Sequence, residues 1–223
     1  MIVMLRRPFK TFLLAFLLAA LPLTSYSQDK AQLPYSMVSS YLELFKSLAH
    51  LELIIPSMMI VSTNPEVAPQ AIEFKVSTPD GWQTFSPDAN GVIQFPDQPD
   101  WMSLVLLSNQ PKGTLQLGVA YAARPLKSTG MSYQELMSLV PQFEEALTAL
   151  AKMQGQPPPK VTGLTIQLSE NSSAAVHVLS QKGEKTLKSY ASGVVVIKYN
   201  QPLWQENPRV EFDEIPIGIV PLL

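Results

Sequence analysis

Cysteine is missing from this chain of 223 residues, and the absence removes several classes of chemistry at once. No disulfide staples the fold, no thiolate serves as nucleophile or metal ligand, and no lipid-modified cysteine tethers the protein to a membrane. Histidine is nearly as scarce, so His50 and His177 are the only side chains whose ordinary pKa lies near neutrality. Charge is sparse at 15%, and no block of basic side chains exists to displace counterions from a nucleic-acid backbone. The nearest candidate, Lys182, Lys185 and Lys188, is interrupted by Glu184 and reads as a solvated hairpin. Long apolar runs are also missing, apart from Thr11 to Leu23, which covers about 13 residues where a spanning helix needs ~20.

That one run carries the clearest signal. Arg6, Arg7 and Lys10 precede it, and Ser25-Tyr26-Ser27 follows it. A basic start, a short apolar centre and small side chains at the third and first positions before a cut are the marks of a secretory signal peptide. Residues 1–27 are therefore expected to be removed, with Gln28 opening the mature protein, which works in the periplasm or, alternatively, is secreted. Removing Arg6, Arg7 and Lys10 leaves 13 basic residues against 18 acidic ones, a formal charge of −5. The mature chain is expected to be soluble, to span no membrane and to bind no nucleic acid. Its 196 residues suffice to bury a core without covalent staples. Asn171-Ser172-Ser173 has the form of a glycosylation sequon, but the short signal and composition fit a bacterium.

Sliding the chain against itself by 102 residues aligns Ala71–Pro96 with Ser173–Lys198 without a gap. Gly81 falls on Gly183, Thr84 on Thr186, Gly91 on Gly193, Val92 on Val194 and Val76 on Val178. With small insertions, Trp101 meets Trp204, and Pro111-Lys112-Gly113 meets Pro216-Ile217-Gly218. These are positions where a turn or a core face constrains the residue. The pattern predicts an internal duplication, with a first repeat over 28–122, a linker over 123–131 and a second repeat over 132–223. Each Trp is expected to close one end of a β core in an equivalent pocket.

Local signals agree with that division. Val38, Tyr41, Leu42, Phe45 and Leu48 recur at helical spacing and predict a helix over 36–50. Ser132 and Glu135 form a capping box opening a second helix, which Pro141 must kink or restart. Ile72, Phe74 and Val76 alternate with Glu73 and Lys75, the period of a half-buried strand. Further strands are expected over 53–61, 92–95, 103–108 and 115–122, and over 161–168, 174–179, 185–190, 193–199, 210–212 and 215–220. Pro79-Asp80-Gly81 supplies a hairpin turn, Asn90-Gly91 a second with positive φ angles, and Pro216 suggests an edge strand. The fold class is α+β: two similar helix-plus-antiparallel-sheet units, each sandwich-like.

The search for chemistry ends in no catalytic, cofactor or metal residue. Neither histidine has an acidic or nucleophilic partner nearby in sequence, and both are expected to be structural or surface groups. No Gly-x-Ser-x-Gly elbow is present. Ser86, Asp88, Asn90 and Asp97, with Gly91 at the bend, imitate the spacing of a calcium loop. Ser stands where the first Asp belongs and Asp where the bidentate Glu belongs, and the flanks read as strands. The loop is expected to be a turn, and a calcium-dependent module is a minor alternative, as is an exported hydrolase using Ser/His or carboxylates.

Asn109-Gln110-Pro111-Lys112-Gly113 and Leu203-Trp204-Gln205-Glu206-Asn207-Pro208 resemble an uncharacterised family of secreted gammaproteobacterial proteins, a domain of unknown function. The resemblance implies a periplasmic address and no activity, so it brings no site residues. The turns at Asp80-Gly81 and Asn90-Gly91 are similar to those of the small transthyretin-like sandwiches attached to many exported proteins. The expectation is an exported, non-enzymatic binding or envelope-accessory protein acting through its surface on an envelope protein or a small ligand.

Overall fold

A computed structural model describes residues 30–170, 173–190 and 192–223. The expected signal peptide, its cleavage point, and Asn171 and Ser172 of the sequon lie outside the described residues.

The chain begins with β1 (Lys30–Pro34) and α1 (Tyr35–Ser47), then runs through β2 (Ile54–Ser62), β3 (Phe74–Thr78), β4 (Gly81–Phe85), β5 (Val92–Ile93), β6 (Val105–Pro111) and β7 (Leu115–Ala123). After a short connection come β8 (Gly130–Ser132), α2 (Tyr133–Met137), α3 (Leu139–Met153), β9 (Gly163–Gln167), β10 (Ala175–Ser180) and β11 (Gly183–Lys188). β12 (Val194–Lys198), α4 (Gln201–Glu206), β13 (Arg209–Phe212) and β14 (Gly218–Leu222) complete it. Ala123 ends β7 and Gly130 begins β8, so both ends of the segment 123–131 belong to strands.

The strands form four sheets, ordered β1-β6-β3-β4, β5-β2-β7, β8-β13-β10-β11 and β12-β9-β14. Every pairing among the described strands is antiparallel. The α+β class stands, since helices pack on antiparallel sheets. The edge strands β7 and β14 lie against each other, and α3 crosses onto β2 and β7. One buried cluster draws side chains from both halves, including Val38, Ile60, Phe74, Phe143, Ile166 and Val210. The halves therefore share a core, and neither buries its apolar faces alone.

Local chemistry explains the elements that set the outer faces. In β3, Phe74 and Val76 are buried while Lys75 is exposed, as the alternation requires. Along α1, Tyr35, Val38, Tyr41 and Leu44 form the buried stripe. The capping box is present: Glu135 N–H donates to Ser132 Oγ at 3.2 Å, and Ser132 N–H donates to Glu135 Oε2 at 2.7 Å. The Ser132 N–H first, and the Ser132 hydroxyl second, hold the exposed Glu135 carboxyl below its ordinary pKa. α2 stops at Met137, and a new helix carries Pro141 at its third residue, where a missing N–H leaves no intrahelical bond unmade.

One expected turn is found and another departs from expectation. The Pro79-Asp80 turn joins β3 to β4 with Thr78 opposite Gly81, as predicted. Asn90-Gly91 instead connects strands of different sheets, because β4 pairs with β3 and β5 with β2. Only Gly91 takes a positive φ there, +82°, and Asn90 does not. At the other end, the strand expected from Ile215 begins at Gly218, so Pro216 precedes β14, which does lie at an edge of its sheet.

Candidate functional site

The outward face of the β1-β6-β3-β4 sheet holds a pocket of about 480 Å³ lined by Lys30, Glu73, Lys75, Trp82, Thr84 and Leu107 among others. Its composition follows from the hairpin register. With Phe74 and Val76 turned inward, Lys75 and Ser77 point out, and the two-residue turn sets Ser77 opposite Trp82 and Lys75 opposite Thr84. Trp82 is 65% exposed, the most open of the chain's three Trp side chains and far from the core. Lys75 Nζ lies 3.5 Å from Glu73 Oε2, a loose pair on an open surface. Asn109 stiffens one margin: its Oδ1 accepts from Glu73 N–H at 3.0 Å and its Nδ2 donates to Ala71 C=O at 2.8 Å.

The alignment by 102 residues pairs Lys75 with His177, Trp82 with Glu184 and Thr84 with Thr186, and these form a different surface on the β8-β13-β10-β11 sheet. His177 Nδ1 lies 2.6 Å from Glu184 Oε1, and its Nε2 lies 3.0 Å from Asp213 Oδ1. The expectation of a histidine without acidic partners is thus corrected for His177. Glu184 is brought to it by the β10–β11 register, which sets His177 opposite Thr186, and Asp213 comes from the end of β13. Both ring nitrogens are taken by carboxylates, and the nearest hydroxyl, Thr186 Oγ1 at 3.3 Å, faces the nitrogen that Glu184 already holds. The arrangement holds the imidazole ring in place and aligns no nucleophile with a free ring nitrogen.

Glu184 first, and Asp213 second, raise the His177 pKa above 6.5. Glu184 is lowered from 4.5 chiefly by His177, and Asp213 from 3.8 chiefly by Ala175 N–H. A raised histidine contributes stability that is complete below its unfolded pKa and lost as pH climbs through the folded one. Lowered carboxylates contribute above their unfolded pKa values and lose that contribution as pH falls through the folded ones. The cluster accordingly stabilises most between about pH 4.5 and 6.5. His177→Gln is expected to lower the melting temperature near about pH 5.5, with the difference from wild type shrinking by about pH 8.5. Calorimetric scans at the two pH values check it, and an equal loss at both would contradict it.

His50 also has a partner that sequence proximity did not reveal: its Nε2 lies 2.7 Å from Glu145 Oε1, joining the end of α1 to α3. Both side chains are more than half exposed, which marks a surface contact. In the calcium-like segment, Asp88 Oδ1 accepts from Asn90 N–H at 2.8 Å and Val92 N–H at 2.9 Å, tying its own turn. Asp97 turns to Lys46 Nζ at 2.6 Å. Among the described residues no group of three or more acidic or histidine side chains is arranged to hold a metal.

Trp101 and Trp204 are not equivalent in packing. Trp101 is 7% exposed and meets Tyr35 edge-on at 5.5 Å and Phe85 at 6.2 Å. Trp204 is half-buried against Tyr199, with ring centres 5.9 Å apart. The exposed aromatic that sequence reasoning passed over is Trp82, whose outward direction was readable from the alternation in β3 and the length of the turn.

No protein-family model, curated protein or solved structure matches this chain. Among the described residues no helix is long and apolar enough to cross a membrane.

Proposed function

We propose that this chain is an exported, non-enzymatic binding or envelope-accessory protein, built from two copies of one unit, that acts through the outer face around Trp82. The observation that carries the reading is the open indole. A large aromatic side chain left 65% exposed on a flat sheet, above a pocket, keeps apolar area in water that a bound ligand would cover.

The comparison between halves supports this. Strand order β1-β6-β3-β4 recurs as β8-β13-β10-β11, and β5-β2-β7 recurs as β12-β9-β14. Tyr35 Oη donates to Pro96 C=O and accepts from Gln98 N–H, while Tyr133 Oη donates to Lys198 C=O and accepts from Asn200 N–H. Gly91 and Gly193 both take positive φ, and their carbonyls accept from Ile60 and Leu168 N–H. The match has limits: Gly113 has φ +79° in a turn, whereas Gly218 opens β14 without a positive φ. Within this shared frame the position of Trp82 is held by Glu184 in the other half. The fold therefore needs no aromatic there, and ligand contact is the role left for the indole.

The periplasmic address rests on Arg6, Arg7, Lys10 and the apolar run before Ser25-Tyr26-Ser27, together with the resemblance to secreted gammaproteobacterial proteins. Affinity capture from an envelope fraction with the processed protein as bait tests the reading. Wild type and Glu184→Ala are expected to retain the same material, and Trp82→Ala to lose it. Equal capture by all three baits, or none by wild type, would refute a role for this face.

A further inference from the structure

We infer that the Trp82 face takes an extended acidic glycan, a chain of sugar rings bearing carboxylates, with one ring seated on the indole. This rests on the reading of that face as the binding surface. The strand order provides a ruler. Trp82 and Thr84 stand on the edge strand β4, Lys75 on its neighbour β3, Leu107 on β6, and Lys30 on the opposite edge strand β1. At ~4.8 Å per strand, Lys75 is one spacing across from Trp82 and Lys30 three. The register offsets them along the strands as well: Lys75 faces Thr84 rather than Trp82, and Lys30 faces Pro111 where Leu107 faces Lys75, so the line from the indole to Lys30 runs obliquely. A ligand that touches all of them is longer than one sugar ring and runs across the strands.

Chemistry selects the class. The π-face of an indole is negative, and the C–H face of a pyranose presents hydrogens of opposite polarity, so the two stack over a flat contact. Lys30 and Lys75 then offer ammonium donors to carboxylates along the chain, and Thr84 a hydroxyl. Glu73 offsets part of the charge of Lys75 at 3.5 Å, leaving a net positive strip on a protein whose overall charge is negative. A peptide finds less here. A peptide strand added at the free edge of β4 would lie beside the sheet and reach neither Lys75 nor Lys30, and on the face itself the backbone groups of β3 and β6 are spent within the sheet. Two lysines beside a glutamate are too few for nucleic acid.

The other half supplies an internal comparison. On the matching face His177 is held by Glu184 and Asp213, Arg209 is paired with Glu211, and Lys188 stands at the far end of β11, so the cations are matched by carboxylates and no aromatic stands among them. An acidic chain finds neither an indole nor an excess of cations there, and binding is confined to one face per molecule.

The test is calorimetric titration of the processed protein at low salt with a uronate oligosaccharide, a neutral glycan of equal length and an acidic peptide. The uronate is expected to bind with a change in indole emission and to weaken as salt rises. Trp82→Ala should weaken it about tenfold or more, and Lys30→Gln and Lys75→Gln several-fold each with a flatter salt dependence. Glu184→Gln should leave it unchanged. Because Trp82 is so exposed, Trp82→Ala is expected to melt with wild type, so lost binding will not be lost folding. Equal binding of the neutral glycan, or preference for the peptide, overturns the acidic-glycan assignment. So does no binding of any probe while envelope capture still depends on Trp82, an outcome that leaves the binding face standing. If capture is also independent of Trp82, both readings fall.

Discussion

Replacing Trp101 by alanine is expected to destabilise the protein by ~3–5 kcal/mol, while Trp204→Ala costs only about 1 kcal/mol. Trp101 sits in a cluster in which its ring meets Tyr35 at 5.5 Å and Phe85 at 6.2 Å, and Phe85 meets Phe95 at 5.4 Å. Truncation removes the buried ring area and leaves a cavity between the start of α1 and the sheets, which rings held edge-to-face fill poorly. The Tyr35 hydroxyl that ties Pro96 and Gln98 would lose its packing support as well. Trp204 is only half-buried, packed on Tyr199 and the margin of the core, so its removal exposes less that was dry. Urea unfolding of the two variants decides the matter, and equal losses would contradict the difference in packing.

Gly193→Ala is expected to cost roughly 2–5 kcal/mol and Gly113→Ala roughly 1–2 kcal/mol. The two glycines share nearly the same backbone angle, φ +75° and +79°, so the penalty of placing a Cβ in the left-handed region is common to both. What differs is the surroundings. A Cβ at Gly193 would stand 2.5 Å from the Leu168 carbonyl oxygen and 2.7 Å from that of Ser169, both backbone atoms that cannot swing aside. At Gly113 nothing lies within 4 Å. Gly193 C=O also accepts from Leu168 N–H at 2.7 Å, so displacing the turn breaks the tie between β9 and the approach to β12. Denaturant midpoints measure the pair, and a Gly113 variant as unstable as the Gly193 one would show that the carbonyl contacts are not responsible.

The strong periodicities in the sequence were reliable guides. The stripe through Val38 and Tyr41, the Ser132–Glu135 box, the break before Pro141 and the alternation through Phe74 and Val76 each report a local rule that the fold obeys. Four elements escaped: β1, β4, β8 and α4. Each has at most six residues, too few to display a period, and each is fixed by what it lies beside. β4, for instance, is open along most of its length and becomes a strand because the Pro79-Asp80 turn folds it onto β3. The Asn90-Gly91 turn was legible as a turn but not as a passage between sheets, because turn chemistry is local and sheet membership is not.

The candidate site was only partly legible for the same reason. Trp82 has no aromatic counterpart in the alignment that pairs Trp101 with Trp204, so no repeated pattern marks it. Sequence distance also hid the partners of His177 and His50. Glu184 is seven residues from His177 and recoverable from the hairpin register, but Asp213 and, for His50, Glu145 arrive only through tertiary packing.

The most direct measurement of the central claim is a map of amide and indole shifts in the isotope-labelled processed protein as solubilised envelope material is added. Binding through the first outer face predicts that Lys30, Lys75, Trp82 and Thr84 move together, with the Trp82 indole N–H among the largest shifts and His177, Glu184 and Asp213 still. Shifts centred on the His177 face, or spread evenly over both halves, would contradict it.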